Sequence, residues 1–128
     1  MTEPSFLLDS NICIYLLEGQ SDLTRNRLQQ YAPGEVITSS IVFAEVTRGI
    51  DRADARAIAS ADRFFQLIEP LPFDRAAAEA YFRIPSRRGR FDRLIAAHAL
   101  ALDLTIVTAN EADFADIPGL KLENWTRP

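Results

Sequence analysis

The sequence predicts a single α/β domain, a three-layer α/β/α arrangement built on a parallel sheet. Three observations predict it. The chain has 128 residues, the size of one ordinary domain. Short apolar runs alternate with longer amphipathic stretches, the pattern of strands joined by crossover helices. A composition 48% apolar and 25% charged can bury a core, and it excludes an intrinsically disordered chain.

Ser5-Phe6-Leu7-Leu8 is an apolar run that stops at Asp9-Ser10-Asn11, a cluster of helix N-cap residues. Ile12 to Leu17 follows as an amphipathic stretch ended by Gly19, so the segment reads as buried strand, tight turn and helix. Residues 22–31 read as a second helix, closed by Pro33-Gly34. Val36-Ile37-Thr38 is a short strand, and Ser39-Ser40 caps a helix from Ile41 to Ile50. Residues 52–66 are rich in Ala and Arg without Pro or Gly, which favours a long helix. Ile68 to Leu71 reads as a strand that Pro70 and Pro72 make an edge strand or an irregular one. Residues 73–83 read as helix, and Pro85 and Gly89 break the chain in a basic loop.

Residues 91–102 are expected as a helix with Phe91, Leu94, Ile95, His98 and Leu102 on one apolar face. Leu104 to Val107 is a strand, Thr108-Ala109-Asn110 a turn, residues 111–115 a helical turn, and Leu120 to Trp125 a last strand. No linker, repeat or low-complexity tract interrupts this order, so residues 1–128 are read as one domain.

Several function classes fall away on composition. Cys13 is the only cysteine, which removes an internal disulfide and a Cys-rich zinc site; its apolar neighbours mark it as a small buried residue. His98 is the only histidine, which removes paired-histidine zinc motifs and leaves carboxylates for acid–base or metal work. Met1-Thr2-Glu3-Pro4 lacks a basic n-region, and no apolar run approaches about 18 residues. A cytoplasmic protein with no membrane span is expected.

The formal net charge of −4 argues against a uniformly basic nucleic-acid binder. Its distribution says more. Residues 75–93 hold six Arg against two acids, and residues 103–123 hold five acids against Lys121 alone, the only lysine of the chain. The small total conceals two patches of opposite sign.

Four acids stand where such a fold binds ligands. Asp9 follows the first strand, at the carboxyl end where open parallel sheets hold ligands; it reads equally as a helix N-cap. Glu45 lies one turn inside an apolar helix, either aimed into a cleft or paired with Arg48 at i+3. Asp92 opens its helix, where the helix dipole favours an acid. Asp113 follows the last strong strand together with Thr108 and Asn110. All four fall on one rim of a doubly wound sheet. Acids converging there repel one another unless a hard divalent cation such as Mg²⁺ or Mn²⁺ joins them, and metal held this way activates water and neutralises a phosphoryl group.

The ordered motifs Leu8-Asp9-Ser10-Asn11-Ile12, Ser39 to Val46 around Glu45, Phe91-Asp92-Arg93-Leu94-Ile95-Ala96-Ala97-His98-Ala99, and Val107 to Phe114 resemble those of PIN-domain ribonucleases. The chain is similar in particular to VapC-like toxins of type II toxin–antitoxin systems, and Ile117-Pro118-Gly119-Leu120 through Trp125 extends the likeness to the C-terminus. The resemblance implies a PIN-like fold with a parallel four- to five-stranded sheet. It implies a Mg²⁺- or Mn²⁺-dependent ribonuclease whose cuts leave 3′-hydroxyl and 5′-phosphate ends. Asp9 and Asp92 are implied as direct metal ligands, and Glu45 as the holder of a water or a second ion. Asp113 is implied as the fourth acid, with Asn11, Thr108 and Asn110 as polar support. His98 falls on the apolar helix face and reads as structural or antitoxin-adjacent rather than catalytic.

The stretch before the third acid departs from the family's Gly-rich pattern. Here it is Ser86-Arg87-Arg88-Gly89-Arg90, and Arg87, Arg88 and Arg90 are expected to grip RNA phosphates or an acidic partner segment. Implied partners are a cognate VapB-like antitoxin and a second copy in a homodimer. Ile12, Tyr15, Leu16 and Leu28 are candidate antitoxin contacts or ordinary core. Two other readings fit the sequence less well. A receiver-like phosphoacceptor domain needs paired acids after the first strand and a Lys on a late central strand, whereas this chain has Asp9 alone and Lys121 near its end. A catalytically inactive PIN-type module binding RNA or antitoxin has no need of the retained acids.

Overall fold

The computed structural model describes residues 3–85 and 89–128. Strand β1 is Phe6–Leu8. Leu7 and Leu8 point to opposite faces of it, as successive strand residues must, and both are completely buried. Ile106 and Val107 repeat this on β4, Thr105–Val107. Both faces of the central strands are therefore covered, which is why these runs are continuously apolar rather than alternating.

The remaining strands are β2 (Val36–Ser39), β3 (Pro70–Leu71) and β5 (Lys121–Glu123). Among the described residues they form one five-stranded sheet in the order β3-β2-β1-β4-β5, with every pairing parallel. Pro70 lacks a donor for a ladder, and its strand takes the edge as expected. The order reverses between β1 and β4. That reversal opens a crevice at the carboxyl ends of the two strands, the place where doubly wound sheets bind ligands.

Among the described residues six helices flank the sheet: α1 (Ser10–Glu18), α2 (Asp22–Leu28), α3 (Ser40–Arg48), α4 (Ala55–Leu67), α5 (Arg75–Tyr81) and α6 (Arg90–Leu102). Caps account for the two helix starts that fall later than expected. The Asp54 side chain accepts a hydrogen bond from the Ala57 amide and starts α4 at Ala55 rather than residue 52. Asp74 does the same for α5 through Ala77, so that helix begins at Arg75 rather than residue 73. The expected helical turn at 111–115 is a 3-10 turn at Glu111–Asp113.

The single apolar stripe expected on α6 is not what forms. Phe91 and Leu102 are 54% and 41% exposed, whereas Ile95, Ala96, Ala97, His98 and Ala99 are all buried. Small alanines let the middle of the helix sink into the protein on several sides at once, and periodicity alone does not report that. His98 is buried within the fold. Its Nδ1 is 2.8 Å from the Ser39 hydroxyl that also caps α3, Phe73 stands edge-on to its ring, and burial lowers its pKa so that the neutral form is favoured.

The C-terminal strand is pinned by aromatic packing. Trp125 stacks on Tyr31 with centroids 5.4 Å apart and meets Phe6 edge-on at 5.1 Å. Its indole N–H donates to Glu123 at 2.9 Å, and its carbonyl accepts from the buried Thr24 hydroxyl at 3.1 Å. Removing this ring leaves a large void, while Glu123 keeps Arg27 as a donor and the backbone bond to Thr24 remains. Trp125→Ala should lower the unfolding free energy by about 3–5 kcal/mol. Urea denaturation followed by far-UV circular dichroism measures this, since the variant loses the only tryptophan.

Candidate active site

Leu8 on β1 pairs with Val107 on β4, so the residues that follow them, Asp9 and Thr108, emerge side by side at the crevice. Asp9 stands where both readings of the sequence put it, as the N-cap of α1 and at the carboxyl end of β1. Its Oδ1 accepts from the Ile12 amide at 3.0 Å and caps α1, and its backbone N–H donates to the Val107 carbonyl at 3.1 Å. Only 5% of the residue is exposed. Burial pushes its carboxyl up to about 6; hydrogen bonds from Thr108 and Ile12 work against that, and repulsion from Asp92 and Glu45 adds to it.

Thr108 is completely buried and its hydroxyl serves two partners. It accepts from the Asn110 amide at 3.0 Å, which leaves its single O–H free to donate to Asp9. The Thr108 amide donates to the Glu123 carbonyl at 3.0 Å, anchoring the turn to β5. Asn110 itself is exposed and opens the 3-10 turn without a side-chain capping bond. Asn11 is exposed in the first turn of α1, two residues beyond Asp9.

Glu45 is half-buried on α3. Its Oε1 accepts from the Ser10 hydroxyl at 2.7 Å, a bond between α3 and the start of α1. The pairing with Arg48 raised by the sequence gives way to this cross-helix contact. Asp92 sits in the first turn of α6. Its carboxyl pKa is raised by burial first, then by repulsion from Asp113 and Glu45, with the Arg93 guanidinium opposing.

The four predicted acids are thus electrostatically coupled: Asp9 with Asp92 and Glu45, and Asp92 with Glu45 and Asp113. Among the described residues no three of His, Cys, Asp or Glu form a closed cage for an ion. The donor set is entirely oxygen, carries like charge and is partly buried, which fits a hard divalent cation that keeps several of its waters. Arg90 is exposed as the first residue of α6. Arg87 and Arg88 lie outside the described residues. Cys13 is buried next to this site, and burial pushes its thiol well above the usual range, so it stays protonated.

Two contributors were not singled out in the sequence. Ser10 was read as part of a capping cluster, and only the crossing of α1 and α3 brings it to Glu45. Gly89 was read as a chain breaker. Its φ of +82° caps α6, and a Cβ there would stand 3.2 Å from an Asp92 carboxylate oxygen, so glycine also gives Asp92 its room.

The Asp9 carboxyl sets a pH dependence whose sign can be worked out. Folding raises its pKa from 3.8 to about 6, so the folded state binds more protons than the unfolded chain between these values. Its favourable contribution is complete below about pH 3.8 and is lost as pH rises through about 6, a change of about 3 kcal/mol. In EDTA, Asp9→Asn should therefore gain stability relative to the parent chain as pH rises from 4 to 7. Denaturant titrations of the two chains across that range measure it, and taking the difference cancels the opposite contribution of His98. A difference that does not change with pH would contradict the buried-acid geometry.

A PIN domain profile matches residues 6–120. The chain is 33% identical to the tRNA(fMet)-specific endonuclease VapC of Shigella flexneri, covering 94% of this chain and 98% of that protein. It is also 33% identical to ribonuclease VapC2 of Rickettsia felis, over 95% of this chain and 98% of the relative. Among solved structures, VapBC2 of Rickettsia felis bound to a promoter DNA fragment superposes with a TM-score of 0.85 at 32% identity, covering 94% of this chain and 98% of that one. DNA-bound VapBC of Salmonella typhimurium gives a TM-score of 0.86 at 30% identity, with 95% and 98% covered. By the near-complete profile match and these full-length relatives, the chain belongs to the PIN domain family, among its VapC ribonucleases.

Proposed function

We propose that this chain is a divalent-cation-dependent endoribonuclease and the toxin half of a type II toxin–antitoxin pair. The observation that carries the reading is the Asp9 carboxylate, buried at the β1–β4 crevice and coupled to Asp92 and Glu45. Charged acids kept together out of water need a cation, and an all-oxygen set selects Mg²⁺ or Mn²⁺. Asp9 and Asp92 are its direct ligands in this reading, while Glu45 and Asp113 complete the acidic rim. When bound, the cation supplies Lewis acidity to a phosphodiester oxygen and lowers the pKa of water.

The chain's own side chains supply the rest. The Thr108 hydroxyl fixes the Asp9 carboxylate, and the Ile12 amide holds its other face. The Ser10 hydroxyl engages Glu45 Oε1, leaving Oε2 to orient a water or take its proton. Arg90, exposed at the start of the helix that carries Asp92, meets an RNA phosphate, with Arg87 and Arg88 as further candidates from the sequence. Cleavage leaves 3′-hydroxyl and 5′-phosphate ends.

A VapB-like antitoxin is the partner in this reading, and the cytoplasm the place of action; no described helix is long and apolar enough to cross a membrane. The VapBC complexes among the structural relatives support the partner. So does a groove of about 390 Å³ between α1, α3 and α4, with Glu45 at its edge. Ile14, Leu17, Val46, Ile50 and Ala57 give it an apolar floor, and its charged lining is three acids, Glu18, Asp54 and Glu45, against one cation, Arg56. Such a surface suits an amphipathic antitoxin segment that ends in a basic side chain. Of the contacts picked from sequence, Ile12 is sealed in the core, and Tyr15, Leu16 and Leu28 pack partly against it. The groove instead uses Ile14 and Leu17 from the same helix.

Asp9→Asn and Asp92→Asn should each cut cleavage of RNA about a thousandfold or more, the several kcal/mol of charge stabilisation that depends on the cation. Asn still caps α1, so the Asp9 variant should fold. Excess EDTA should silence the parent chain, and Mg²⁺ or Mn²⁺ should restore it. Gel assays of purified protein on total RNA, with circular dichroism to verify folding, test this; full activity in both variants with metal present would refute the assignment.

A further inference from the structure

Arg93 follows Asp92 on α6, yet only 4% of it is exposed. Its guanidinium faces Asp116 in a two-pronged pair, with Nη1 donating to Oδ2 at 3.1 Å and Nη2 to Oδ1 at 2.9 Å. The side chains are 5% and 26% exposed, so both charges are largely withdrawn from water. Arg93 Nε is buried without a hydrogen-bond partner among the described residues. A buried pair with an unmatched donor is a poor device for stability alone, because apolar residues of the same volume commonly do as well or better.

Its location suggests another purpose. Asp116 lies three residues after Asp113, in the irregular segment between the 3-10 turn and β5. Phe114 and Ile117, on either side, are buried in the core, so the segment is anchored from below. Asp113 itself is exposed and repels Asp92. Like charges on two separate elements drive those elements apart. The Arg93–Asp116 fork joins the same two elements, one residue from Asp92 on α6 and three from Asp113 on the segment. A bidentate pair also fixes orientation, which a single lysine contact does not.

We propose that Arg93 and Asp116 are positioning residues that hold the Asp113 segment against α6, so that Asp113 and Asp92 stay close enough to share a cation. This rests on the metal-nuclease reading above. Neither residue touches the reacting atoms; both position through Asp113, and the direct attraction of the Arg93 guanidinium for Asp92 competes with a cation, so its loss would not weaken cation binding. Arg93 is thereby removed from the arginines that contact RNA.

The test uses Arg93→Met, which keeps the length and apolar volume of the stem, and Asp116→Asn, which is isosteric. Mn²⁺ binding by calorimetry and RNA-cleavage kinetics are measured on the full chain, with circular dichroism and Tm as folding controls. Both variants should weaken Mn²⁺ binding by about tenfold or more, the usual effect of losing a group that orients a ligand. They should lower kcat with little change in KM, and the double variant should be no worse than either single one. In an Asp113→Asn background, Arg93→Met should add nothing. Parent-like Mn²⁺ affinity and kcat in the folded variants would overturn the proposal, even with a lowered Tm. An undiminished Arg93→Met effect in the Asp113→Asn background would also overturn it, since the guanidinium would then act by a route other than Asp113. If Arg93→Met fails to fold, Asp116→Asn decides the matter. A parent chain that neither binds Mn²⁺ nor cleaves RNA overturns the nuclease reading and this proposal with it. A parent that does both, beside variants that match it, overturns this proposal alone.

Discussion

Asp9 has to cap a helix and hold a charge in nearly the same few cubic ångströms. Capping requires its carboxylate to turn back toward the Ile12 amide, and the β1–α1 turn supplies the geometry. The charge is held at the one point where the strand order reverses, next to β4 and beneath Thr108. The rest of the site follows from that conflict. The Thr108 hydroxyl and the α1 amide compensate the carboxylate in part, and its pKa still stands near 6. What the protein leaves uncompensated is available to a ligand of opposite charge.

The elements around Asp9 are arranged to bring more acid rather than to relieve it. The N-cap of α3 is held by Ser39, which His98 also grips, so the helix carrying Glu45 has a fixed start. Ser10 then ties Glu45 across to α1, one residue from Asp9. Gly89 starts α6 in a left-handed conformation and leaves space beside Asp92 that a side chain would crowd. None of these contacts lowers the repulsion among the acids. They fix directions for it, and fixed acids bind a cation without first losing the freedom to move apart.

The fold was largely legible because its signals are local. Short apolar runs stop at cap residues, and Pro70 confines its strand to the edge. The two helix starts that fall later than expected, at Ala55 and at Arg75, do so because an Asp one residue earlier bonds into the first turn. Asp9, Asp92 and Thr108 were legible for the same reason, as residues just beyond strand ends or within first helical turns. Contacts between distant elements were not. Ser10 meets Glu45 across 35 residues, and Arg93 meets Asp116 across 23. The α6 stripe misled because alanines permit burial on more than one side, and a pattern of large residues does not count them.

Charge distribution shows most clearly what three dimensions add. The sequence presents a basic stretch at 75–93 and an acidic one at 103–123, as though each faced its own partner. The two in fact spend part of their charge on each other and on themselves. Arg93 is bound to Asp116, Arg75 to Glu79 within its own helix, and Lys121 to Asp103. Among the described arginines of the basic stretch, Arg83 and Arg90 are those left exposed outside these pairs. Arg90 alone of the two begins the helix that bears an acid of the crevice. The net charge of −4 is therefore no measure of fitness for RNA. On the cation-dependent reading proposed above, the acidic crevice would need only a few cations at its rim to accept a phosphodiester, provided they stand beside Asp92 rather than being spread over the surface.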